Sequence, residues 1–199
     1  MSISYDMDTE GAAKAGTSNY LNETGKYIGS FVSAVSIVSE KKTEGIEFSF
    51  KTSDGRTANF LQLWAFNTEG RKLYGHAVLS AIMAVLRVKN IQSKTMTLGD
   101  ENVEGFPDLC NKPIGLLLQR EEYVKRDKSM GFKFNIVAPF DAQSEKVAVE
   151  LMKNLPAEKL AVMVSQLKDK PAQQRREPAQ SGGTSTAAGN WTNDDEIPW

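Results

Sequence analysis

The chain of 199 residues carries a single cysteine and a single histidine. Cys110 therefore has no internal disulfide partner, and with His76 it makes no ligand set for structural zinc. No apolar run approaches the roughly 20 residues of a membrane span, and the first ten residues lack the basic and apolar regions of a secretion signal, so a cytoplasmic protein is expected. Net charge is also small, at −1. Missing too are a glycine-rich phosphate loop, a dinucleotide fingerprint and a nucleophile elbow. A metal-dependent nuclease would have to draw on scattered acids, of which Asp100, Glu101 and Glu104, and Glu121 with Glu122, are the densest. With no catalytic lysine pattern beside them, they read as solvated charge. His76 has no second histidine or cysteine partner to make it a general base. The chain points away from an enzyme, and no cofactor is expected.

What is present supports one globular domain with a real core: 40% of the residues are hydrophobic and 25% charged. Residues 1–25 are rich in Gly, Ala, Ser, Thr, Asn and acids and read as an arm, with Tyr5 and Tyr20 able to dock on the body. Residues 26–170 form the body. Residues 171–199 are rich in Pro, Gln, Gly, Ser and Thr up to a compact tip, which predicts a disordered tether carrying a hook. Charge follows the same division: residues 1–26 and 171–199 each carry −2, leaving +3 for residues 27–170. A mildly basic body with acidic ends suits a nucleic-acid binder whose tail competes for its own groove.

Within the body, residues 27–38 form a long β-rich run with an irregularity near Gly29 or Ser33, and Phe31, Val35 and Ile37 are expected on one face. Ile46, Phe48 and Phe50 alternate with polar residues, the period of a strand with one buried face. Asp54-Gly55 is a hairpin turn. The third strand, residues 57–66, sets Phe60, Gln62, Trp64 and Phe66 on one face against Asn59, Leu61, Leu63 and Ala65 on the other. Residues 72–88 shift to helical periodicity with a wide apolar face. Residues 91–103 are a small excursion of strand or loop, and residues 114–124 and 132–138 are the fourth and fifth core strands. Two helices follow over 144–153 and 156–169, with Pro156 in the first turn of the second. Leu160, Val164 and Leu167 give that helix an apolar stripe for the body or for a second subunit. The expected fold is β-dominated α+β: a five-stranded OB-fold Greek-key barrel, a capping helix between strands three and four, and C-terminal helices.

The tip reads Asp194, Asp195, Glu196, Ile197, Pro198, Trp199: acids to steer a basic partner, then apolar groups to fill a pocket. It resembles the ends of bacterial and phage single-stranded DNA-binding proteins, with a final Trp in place of the usual Phe. The body is similar to the phage OB-fold members of that class over about residues 25–140, through Gly25-Lys26-Tyr27, Arg71-Lys72-Leu73, the apolar helix at 79–86 and Asn135-Ile136-Val137. The resemblance implies a protein that coats single-stranded DNA without sequence preference in phage replication, recombination and repair. It further implies recruitment of a polymerase, primase, helicase or nuclease through the tip, and it brings Arg71 and Lys72 into the binding set.

Such binding needs cations along the phosphates and aromatic faces for the bases. Lys51 and Arg56 flank the Asp54-Gly55 turn, Lys41 and Lys42 lie in the preceding turn, and Phe60, Trp64 and Phe66 share a strand face. Phe60 and Trp64 are the first stacking candidates; the alternative that Trp64 and Phe66 fill the core stays open. A second arm holds Arg120, Tyr123, Lys125, Arg126, Lys128 and Lys133, interleaved with Glu121, Glu122 and Asp127, which weaken its field. Its plain alternative is a solvated charged hairpin. For the whole chain the alternative is a protein-interaction adaptor with no affinity for oligonucleotides.

Overall fold

The computed structural model describes residues 6–9 and 19–172. Strand β1 (Gly25–Val38) is followed by β2 (Glu44–Thr52), β3 (Thr57–Phe66), helix α1 (Tyr74–Val85), β4 (Lys94–Leu98) and β5 (Glu101–Gly105). A 3-10 turn (Pro107–Leu109) leads to β6 (Ile114–Val124), β7 (Met130–Phe140), α2 (Ala148–Lys153) and α3 (Lys159–Gln166). The strands form one seven-stranded sheet with antiparallel ladders. Five strands were expected; the residue 91–103 excursion is in fact a hairpin, β4–β5, tied to β1 only at Val35 opposite Gly105.

β1 organises the sheet because it serves three partners. One edge pairs with β2 from Gly29 to Val38; the other pairs with β6 over Gly25 to Gly29 and then touches β5. One extra residue, Val32, bulges between the Phe31–Phe50 and Ser33–Ser49 pairs, close to the expected irregularity. The bulge resets the facing of the strand. Phe31 and Ala34 are buried, while Val35 and Ile37 stay half-exposed on the other side, so the three expected on one face are divided. β6 pairs onward with β7, and among the described residues no ladder joins β7 to β3. The sheet is therefore not closed.

The core lies inside the curl. Phe31 packs on Phe48 at 4.4 Å between ring centroids and edge-on to Phe50 at 5.9 Å. Leu61, Ile82, Leu109, Ile114, Leu116, Leu118, Phe134 and Ile136 complete it. Each such side chain contributes roughly 1.5–3 kcal/mol by leaving water. β6 is buried on both sides, since Leu117 faces a second cluster with Phe140, Val147 and Leu160 beneath α3. Leu160 and Leu167 of the expected stripe are spent there, and Val164 remains 39% exposed.

The helices are shorter than their periodicity predicts. α2 ends at Asn154 in the left-handed region, and α3 begins at Lys159, leaving Pro156 in the connection instead of in a first helical turn. The start of α3 is set by Glu150 of α2, a residue only 1% exposed. Its carboxylate accepts hydrogen bonds from the backbone N–H of Val147 at 2.9 Å, Glu158 at 2.9 Å and Lys159 at 2.8 Å. Burial pushes that carboxyl upward, but the three donors hold it below its ordinary pKa. At the other end of the body, Leu21 is buried in the core and residues 19–21 hydrogen-bond Thr57 on both sides, so chain within the expected arm is stitched to β3.

Candidate nucleic-acid interface

β3 divides its side chains by chemistry. Ala58, Leu61, Leu63 and Ala65 face the core, and Phe60, Gln62 and Trp64 face outward. Between the Phe50–Ala58 and Phe48–Leu61 pairs, Ser49 alone opposes both Asn59 and Phe60, and Phe60 sits at φ +59° with 72% exposure. A bulky residue in the left-handed region is uncommon, and here it holds a large apolar ring out in water. Trp64 is half-buried; its indole lies across Gly45, where an added Cβ would meet Trp64 Cε3 at 3.0 Å. Gly45 is thus the seat of that ring. Phe66 packs edge-on to His76 of α1 at 5.1 Å. Of the three predicted stackers, Phe60 stands free, Trp64 is half-covered and Phe66 is engaged by the helix.

Cations distant in sequence gather at the ends of this stripe. The Thr68 hydroxyl donates to the Lys41 carbonyl at 3.1 Å, joining the β1–β2 turn to the β3–α1 turn. That contact groups Lys41 and Lys42 with Arg71 and Lys72; Arg71 is paired with Glu69 at 3.1 Å. Lys51 lies exposed near the opposite end. Arg56 is differently placed: Nε and Nη2 both donate to Asp54 Oδ2, at 2.9 and 2.7 Å, and the guanidinium lies 5.6 Å over the Tyr27 ring. Hydrogen bonds from Arg56 and Thr52 hold the Asp54 carboxyl far below the usual carboxylate range. Arg56 is committed to this pair, which reduces its availability as a phosphate contact.

The β6–β7 hairpin extends past Leu118, where the ladder with β1 stops, so its outer half has less support. Lys125 N–H donates to the Ser129 carbonyl to close the turn, and Asp127 accepts from the Ser129 N–H and hydroxyl, which lowers its pKa. Lys125, Arg126 and Lys128 are exposed and make no direct salt bridge among the described residues. Lys133 approaches Glu121 at 3.8 Å. Arg120 is spent on Glu122 at 2.7 Å and Asp169 at 3.3 Å, and stacks 4.8 Å from the Phe132 ring. Tyr123, at 42% exposed, is joined by Val124, Met130 and Phe132, all exposed. Sequence reasoning passed over Phe132 and Met130, although a strand alternation carried past its supporting neighbour was the available signal.

Where β3 and β7 fail to pair, a cleft of about 670 Å³ opens. Gln62 and Trp64 form one wall, Asn135 the other, with Tyr74 from the start of α1 and Gln119 and Glu121 from β6. Residues 168–170 run beside it: Lys170 N–H donates to the Arg120 carbonyl, Glu122 N–H to the Lys170 carbonyl, and Gln119 Nε2 to the Lys168 carbonyl at 2.7 Å. Residues 168–170 therefore lie against β6 next to Glu121. Asp194, Asp195, Glu196, Ile197, Pro198 and Trp199 lie outside the described residues.

Among the described residues, no group of three or more His, Cys, Asp or Glu is arranged to hold a metal ion, and no helix is long and apolar enough to cross a membrane. Compared with known proteins, the chain matches no family model and no curated protein.

Proposed function

We propose that the protein binds single-stranded DNA along the outer face of β3, coating and protecting it during replication, recombination and repair without catalysing a reaction. The observation that carries this reading is Phe60, an aromatic ring held out in water on a bulged strand whose ends carry lysines. Core packing cannot account for it, whereas base stacking uses such a ring directly. The strand spans ten residues, about 30 Å, a length that suits the 4–16 nucleotides an OB-fold commonly covers. Connectivity supports that fold reading: a β1–β2–β3 meander, α1 after it, and β6–β7 returning to β1, with β4–β5 inserted. On this account the molecule is an OB barrel left open between β3 and β7.

The tail acts twice. Without DNA, Asp194, Asp195 and Glu196 occupy the basic track; once DNA displaces them, Ile197, Pro198 and Trp199 are free to recruit replication proteins. A second reading, an adaptor, has one supporting feature: an apolar groove between α1 and α2 lined by Ala77, Ala81, Ala84, Val149 and the exposed Met152.

Trp64 supplies the test. In the full-length W191F/W199F variant it is the one remaining tryptophan of three. Adding an unlabelled thymidine oligomer should quench its emission, and salt should restore it. An unchanged spectrum at saturating oligomer would remove Trp64 from the interface and leave the adaptor as the better account.

A further inference from the structure

We propose that the cleft between β3 and β7 is a nucleobase pocket, one that takes a base of the bound strand and favours those with an exocyclic amino group over thymine and uracil. The inference rests on the single-strand reading and deepens it, because Gln62 and Trp64 belong both to the outer stripe of β3 and to the cleft wall. A base that leaves the stripe beside Trp64 enters the cleft directly. Trp64 and Tyr74, the latter 71% exposed, give it aromatic surface.

The polar lining sets the preference. Gln62 Nε2 donates to Glu47 at 2.8 Å, Gln119 Nε2 to the Lys168 carbonyl at 2.7 Å and Asn135 Nδ2 to Glu121 at 2.5 Å. Each amide is oriented by its nitrogen, and no donor among the described residues is bonded to its oxygen. Among the described residues, the one cation of the lining, Lys170, is drawn to the Glu121 carboxylate at 3.9 Å, which leaves the three amide oxygens as acceptors without a protein donor, beside the second N–H of each amide. Cytosine, adenine and guanine offer an amino group with two N–H donors to such a surface; thymine and uracil offer only N3–H, flanked by two carbonyl oxygens.

A peptide strand closing the sheet is the competing occupant, and the geometry disfavours it. An added Cβ at Gly75 would lie 2.3 Å from the Trp64 carbonyl oxygen, so the first turn of α1 already presses on that edge of β3. The side-chain cleft remains open below the blocked backbone.

The test is fluorescence anisotropy of full-length protein with labelled oligodeoxycytidine and oligodeoxyuridine of equal length, for the wild type and for Gln62→Met/Asn135→Leu. The wild type should bind the cytidine oligomer about tenfold more tightly. In the variant the difference should shrink to within about twofold, mainly through weaker cytidine binding. Equal wild-type affinities would overturn the pocket while leaving strand binding intact, as would a preference that survives the double substitution. If the variant does not fold, the wild-type comparison still decides whether a preference exists, and Gln119→Met then tests its origin by the same reduction. Failure to bind either oligomer would overturn the single-strand reading itself.

Discussion

Replacing Phe60 with glycine separates binding from folding. The ring is 72% exposed and the backbone sits at φ +59°, so the side chain adds little to the core. An L-residue in the left-handed region costs about 1–2 kcal/mol, which glycine removes, and glycine's extra chain entropy returns about 0.5–1 kcal/mol of that. The expected net effect lies between zero and about 1.5 kcal/mol of stabilisation, a rise in Tm of at most ~6 °C for a chain of this size. A base stacked on the ring contributes about 1–3 kcal/mol, so affinity for single strands should fall roughly 5- to 150-fold. Thermal melting and anisotropy titration read the two effects separately. Phe60→Ala is the control: it keeps the positive φ, so stability should stay within about 0.5 kcal/mol of wild type while affinity falls as for glycine. A Tm drop of more than ~4 °C in the glycine variant would make Phe60 a structural residue. Unchanged affinity in a stable variant would refute stacking.

Replacing Lys125, Arg126 and Lys128 together with glutamine should lower the salt slope of single-strand binding by about 2 if all three meet phosphates, at little cost in Tm. Deleting residues 190–199 should leave DNA affinity unchanged or raised while abolishing partner capture; a large loss of DNA affinity would contradict the competing-tail arrangement. Glu150→Ala strands three backbone donors and should cost about 3 kcal/mol, or roughly 6–12 °C in Tm. The folded-state pKa of Glu150 is depressed, so its stabilisation is present above the unfolded carboxylate pKa and is lost as pH falls through the folded value. The gap between wild type and Glu150→Ala, followed by melting, should therefore narrow on acidification.

Local pattern made some of this legible. Ile46, Phe48 and Phe50 alternate with polar neighbours and are buried as that predicts, and Thr57 starts β3 directly after the Asp54-Gly55 turn. β3 itself was ambiguous because both of its faces are apolar; only the positions of α1, β6 and β7 decide that the aliphatic face goes inward. The irregularity in β1 was legible beside Ser33, whereas the bulge at Asn59–Phe60 was obscure, since a single inserted residue leaves the composition untouched while reversing the facing. β4 and β5 stayed undecided between strand and loop because most of their side chains are exposed and leave little burial pattern to read. The candidate cations were nameable in the sequence, but their grouping was not. Lys41 meets the Arg71 turn through a tertiary hydrogen bond, Glu121 draws Lys133 from β7 and Lys170 from beyond α3, and Glu122 takes Arg120 on its own strand.

The most direct test of the central claim is fluorescence anisotropy of a labelled thymidine oligomer and of a duplex of the same length, titrated with full-length protein over a range of salt. The account predicts preference for the single strand, with log affinity falling against log salt at a slope of about −3 to −5 if most of Lys41, Lys42, Lys51, Lys72, Lys125, Arg126 and Lys128 meet phosphates. Equal or absent binding to both, or binding indifferent to salt, would contradict it.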